Sequence, residues 1–60
     1  MRTKEEIICK LEYALERLNS FDFTNYPTYK TALIERVETL TDILLDDVPE
    51  ELMPLIIKYL

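Results

Sequence analysis

Apolar residues recur along this chain at helical spacing, and three segments carry the signal. Ile7, Ile8, Leu11, Ala14, Leu15 and Leu18 fall at i, i+1, i+4, i+7, i+8 and i+11, the spacing of a helix with one buried face. Thr3 followed by Glu6 has the form of a capping box, each side chain serving a backbone N–H of the other's residue. Glu5 and Glu6 also suit the positive end of the helix dipole. Asn19 and Ser20 compete with helix by bonding to nearby backbone. The first helix is therefore predicted over about residues 3–19.

The second segment is apolar on more than one side. Tyr29, Leu33, Val37, Leu40 and Leu44 step by four, four, three and four residues, which makes one stripe. Ile34, Thr41 and Leu45 form another, and Ala32 and Ile43 flank the first. A helix over about 27–46 with so wide an apolar arc needs two neighbours. Pro27 suits its first turn.

The third segment, 49–60, is apolar at Leu52, Met53, Leu55, Ile56, Ile57, Tyr59 and Leu60. It is expected to dock rather than to trail free. Asp47 or Val48 is expected to cap it, with Pro49 in its first turn. Pro54 predicts either a kink or a short turn followed by a second helix start.

Between the first two helices lie Phe21, Phe23 and Tyr26, with Tyr29 just beyond, four of the six aromatic residues. A solvated linker is not so aromatic. This stretch reads as a lid over one end of a helical hairpin, with Asp22 capping a turn and Thr24 or Asn25 beginning one. The expected fold is all-α: an antiparallel helical hairpin plus a short C-terminal third helix, bundle-like, in one small domain of residues 1–60. Met1 and the compact plan raise the expectation of a whole small protein, with a trimmed domain as the alternative.

Composition then removes function classes. Sixty residues with no Gly, no His and a single Cys exclude Gly-rich phosphate loops, His-based triads, an intramolecular disulfide and a zinc site. No apolar run approaches the roughly 18–20 residues of a bilayer span, and the N-terminus does not read as a signal peptide. With the lone thiol, this points to a cytoplasmic setting. Neither a cofactor nor a metal is expected. The fold is also too small to enclose a pocket for acid–base chemistry, so no enzyme is expected.

Charge is unevenly placed. Residues 1–34 hold five bases and five acids, whereas residues 35–51 hold seven acids against Arg36 alone, and the net charge is −5. Glu35, Glu38, Asp42, Asp46 and Asp47 make a candidate acidic docking face. It repels nucleic acid phosphates and suits a basic protein. The plainer reading, a solvated helix face and a capping turn, carries more weight. Cys9 and Tyr13, four residues apart, are expected to point away from the hairpin core and read first as incidental surface residues or as residues covered by the C-terminal segment, then as a small contact patch or a redox-sensitive thiol.

A fold this small usually needs a staple. The expectation for the leftover apolar surface is a homodimer whose seam is formed by Ile34, Leu45, Leu55, Ile57, Tyr59 and Leu60. Its rival is a closed three-helix monomer. The function expected is that of a small non-catalytic protein-binding regulator: an inhibitor, an antitoxin-like protein or a phage-type accessory factor. The alternatives are an acidic nucleic-acid mimic that blocks a basic DNA-binding protein, and a structural subunit of a larger assembly.

Overall fold

The computed structural model describes residues 3–60. Among these there is no strand, and three α-helices form: α1 (Lys4–Ser20), α2 (Pro27–Leu44) and α3 (Met53–Tyr59). Two short 3-10 turns, Leu45–Asp47 and Glu50–Leu52, lie between α2 and α3.

α1 begins where its cap predicts. The Thr3 hydroxyl accepts the Glu6 N–H at 3.3 Å, and Arg17 stands in the last turn at the negative end of the dipole. Its far end closes through the Phe21 N–H donating to the Arg17 carbonyl at 2.9 Å. α2 has no side-chain cap, but Pro27 occupies its first turn, where the missing N–H costs nothing. The two helices pack against each other and supply eight of the nine apolar residues buried among the described residues: Leu11, Ala14, Leu15 and Leu18 from α1, and Leu33, Val37, Leu40 and Leu44 from α2. These are the two stripes read from the spacing. Ile7, Ile8 and Tyr29, at their ends, are half-buried against the same core.

Of the aromatics in the connection, Phe23 packs half-buried against the hairpin core and Phe21 is half-buried, whereas Tyr26 is exposed. Asp22 accepts from the Thr24 N–H at 3.0 Å and the Thr24 hydroxyl at 2.6 Å, a local turn that an Asp side chain makes in place of backbone. The Tyr26 N–H then donates to the Phe23 carbonyl at 2.9 Å, so Thr24 and Asn25 are the corner. This turn folds the Phe21 ring onto Phe23, Tyr26 and Tyr29, with centroids 4.9, 5.9 and 5.4 Å apart, within the range of favourable aromatic pairs.

The chain departs from the expected layout after Leu44. α2 stops two residues before Asp46 because Leu45 leaves the helix at φ 53, ψ −117. That is the geometry of the first central residue of a type II′ turn, normally given to Gly. The chain has no Gly to place there, so Leu45 bears a strain of about 1–3 kcal/mol. Asp46 and Asp47, ill-suited to the negative end of a helix, fall in the 3-10 turn that follows.

Neither Asp47 nor Val48 caps α3, and Pro49 is not in its first turn. Pro49 instead precedes the 3-10 turn Glu50–Leu52, which has no side-chain cap. Pro54 lies in the first turn of α3, so of the two outcomes expected at Pro54, the second start is the one formed. Ile56 is the single fully buried residue of α3, and Val48, Leu52, Leu55 and Tyr59 pack half-buried around it against the hairpin core.

Candidate functional site

On α1, Lys10, Tyr13 and Arg17 follow one another by three and four residues and so share one flank of the helix, beside the buried stripe. On α2, Tyr29, Leu33 and Arg36 are spaced four and three apart. Antiparallel packing sets these flanks side by side. Between them runs a groove of about 300 Å³, open to solvent. Its floor is Ala14 and Leu33, Cys9 and Tyr13 wall it on α1, and Tyr29 walls it on α2. Lys10 and Arg36 stand on opposite helices along its rim, and no carboxylate and no residue of α3 lines it.

Arg17 holds one end of this groove in place. Its Nε donates to the Tyr29 hydroxyl at 3.1 Å. Its guanidinium carbon lies 5.1 Å from the Phe21 ring and 5.9 Å from the rings of Tyr13 and Tyr29, within cation–π range. The hydrogen bond to Tyr29, and after it the charge interaction with Tyr13, raise the Arg17 pKa above its ordinary value. Both groove tyrosines are thus positioned by a residue outside the groove. Cys9 and Tyr13, which the spacing set aside as incidental, are exposed as expected, but they belong to a surface built jointly with α2.

The predicted seam divides. Ile34, Leu55 and Tyr59 are half-buried against the chain's own core. Leu45, Ile57 and Leu60 keep 73%, 70% and 56% of their surface exposed. Met53 and Ile57, one turn apart on α3, are exposed, as is Leu60 just beyond the helix, while Ile56 is buried. α3 therefore has a docked side and an open apolar side.

The acidic residues Glu35, Glu38, Asp42, Asp46 and Asp47 are all exposed. They extend along the outer side of α2 into the turn after it. Among the described residues, no three His, Cys, Asp or Glu side chains gather to hold a metal ion, and no helix is long and apolar enough to cross a membrane.

No protein-family model matches the chain, and neither the curated proteins nor the solved structures contain a match to it.

Proposed function

We propose that this chain is a small non-catalytic protein-binding regulator, of the inhibitor, antitoxin-like or phage-accessory kind, which presents the outer side of α3 to a partner protein. One observation carries the reading: Ile57 on α3 and Leu60 just after it are 70% and 56% exposed, with Met53 39% exposed one turn before Ile57, so the outer side of the C-terminal segment is apolar. Scattered apolar residues on a surface need no explanation. A stripe at i, i+4 and i+7 is how an amphipathic helix meets an apolar surface on another protein. The acidic residues from Glu35 to Asp47 favour a basic surround on that partner and speed the encounter.

A photo-crosslinker at Ile57, in the cells that make the protein, should yield one discrete adduct with another protein. Leu60→Glu should abolish that adduct while the helical circular dichroism of the purified chain is unchanged. A chain recovered only uncrosslinked would overturn the proposal.

The exposed acids favour a second reading, in which Glu35, Glu38, Asp42, Asp46 and Asp47 mimic nucleic acid phosphates before a basic DNA-binding protein. Such binding weakens with salt and drops in the double variant Asp42→Asn with Asp46→Asn. Binding indifferent to both would eliminate it. A structural-subunit role is tested by placing a charge at Leu45 or Ile57, which should block assembly.

A further inference from the structure

We propose that the α1–α2 groove binds a small aromatic carboxylate: one ring joined to a carboxylate by a short carbon linker. The groove has two chemically different ends. The Arg17–Tyr29 hydrogen bond marks a level at which the antiparallel helices meet. Lys10 stands seven residues before Arg17 on α1, and Arg36 stands seven after Tyr29 on α2. Equal steps along antiparallel helices bring these two cations to one level, roughly 10 Å from the first at 1.5 Å per residue. Both line the groove. Tyr13 and Leu33, each four residues on from the Arg17–Tyr29 pair, meet between the two levels. One end is thus cationic and the other aromatic, over a floor of Ala14 and Leu33.

The cationic end lacks a counter-charge. Side chains three or four residues apart are neighbours on a helix. Around Arg36 those positions hold Ala32, Leu33, Thr39 and Leu40, with no acid among them, and around Lys10 the one acid is Glu6. Among the described residues, no carboxylate lines the groove. Arg36 is the single base among residues 35–51, which hold seven acids, yet it lies on the flank of α2 that meets α1. Two cations held at one level repel, and an anion between them removes the repulsion. A carboxylate fits best, because the planar fork of Arg bonds both its oxygens while Lys adds a point charge.

The other end suits a ring. The Tyr13 and Tyr29 ring centroids each lie 5.9 Å from the Arg17 guanidinium carbon. They are therefore no further apart than twice that distance, close enough for one ligand ring to meet both at about 4.5–7 Å. Arg17 holds both tyrosines before a ligand arrives, which lowers the ordering cost of binding. Volume limits the size: about 300 Å³ is the lower end of the roughly 300–1,000 Å³ that small-molecule sites occupy. The net charge of −5 repels an anion at a distance, but at about 0.15 M salt that repulsion is screened over about 8 Å. No residue of α3 lines the groove, so the site does not rest on the partner-binding role proposed for α3.

The test is an NMR titration of the full-length, ¹⁵N-labelled chain with three probes. These are 3-phenylpropionate, 3-phenylpropan-1-ol (the same skeleton without the charge) and butyrate (the charge without the ring). With 3-phenylpropionate, the amides of Cys9, Lys10, Ala14, Leu33 and Arg36 should shift and saturate by about 10 mM. The alcohol and butyrate should each bind at least about tenfold more weakly, having lost the charge-assisted hydrogen bonds or the ring contacts. Lys10→Gln with Arg36→Gln, at positions outside the buried core, should weaken 3-phenylpropionate to the level of the alcohol and leave the alcohol unchanged. Cys9 is the sole cysteine and lines the groove, so 3-phenylpropionate should also slow its alkylation by iodoacetamide, and butyrate should not. Shifts that do not saturate, acid and alcohol bound equally, shifts confined to residues 53–60, or a double variant that keeps wild-type affinity for the acid would each overturn the proposal.

Discussion

The hairpin and α3 are both helical and both apolar, yet they are held in different ways. α1 and α2 each bury four residues against the other, a continuous seam along both helices. α3 buries Ile56 alone, with half-buried neighbours. It has seven residues, too few to be stable as an isolated helix in water. The hairpin is thus stabilised by mutual burial, whereas α3 exists because a formed hairpin offers it a place to dock. Burial that is shared evenly makes a foldable core, and burial concentrated in one residue makes an appendage.

The most severe way to break this contrast is inside the seam. Leu11 is completely buried, and Leu11→Ala should cost about 2–5 kcal/mol, a large part of the stability of so small a domain. Urea unfolding followed by circular dichroism should show α1 and α2 lost together. Ile56→Ala should cost less, because the loss is capped by whatever free energy docks α3. Hydrogen exchange should show protection lost over residues 53–60 and retained over 11–18 and 33–44. If the whole chain unfolded as readily as in Leu11→Ala, α3 would be integral to the core and the contrast would fail.

Smaller changes sharpen the boundary between the two regions. Leu45→Gly removes the strain of φ 53 while adding freedom to the unfolded chain, and should stabilise by about 1 kcal/mol. A fall in the melting temperature would contradict the turn geometry. Thr3→Ala removes the cap of α1 and should cost about 0.5–1 kcal/mol, with fraying limited to the first turn. The smallest effect belongs to the lid. The Thr24 hydroxyl, and then the Thr24 N–H, hold the Asp22 carboxyl below its ordinary pKa. Its contribution to stability is present above the unfolded value of about 3.9 and disappears as pH falls through the lower folded value. Asp22→Asn keeps the acceptor oxygen and removes the titration, so the acid-side slope of stability should flatten slightly. An NMR titration of the Asp22 carboxyl checks the direction.

The hairpin was legible because its cause is local. Leu33, Val37, Leu40 and Leu44 are each three or four residues apart, and burial follows that period. The second stripe of α2 was only partly legible: Ile34 and Thr41 are half-buried, but Leu45 is outside the helix that would have aligned it with them. Where a helix stops depends on what the chain must reach next, and periodicity is silent on that. The groove was hidden for a related reason. Lys10 and Arg36 are far apart in sequence, and only the antiparallel register brings them to one rim. The available signal was that Lys10, Tyr13 and Arg17 share a flank next to the core stripe.

Leu45 makes the length of α2 a tertiary property. Two opposing local forces meet at that residue: relief of a strained backbone favours one more turn of helix, while Asp46 and Asp47 at a negative helix end oppose it. The turn at Leu45 is the outcome formed, and beyond it the chain buries Ile56 in the hairpin core. Were α3 lifted away, residues 45–47 would be free to join α2 and extend it by about 4.5 Å, at 1.5 Å per residue.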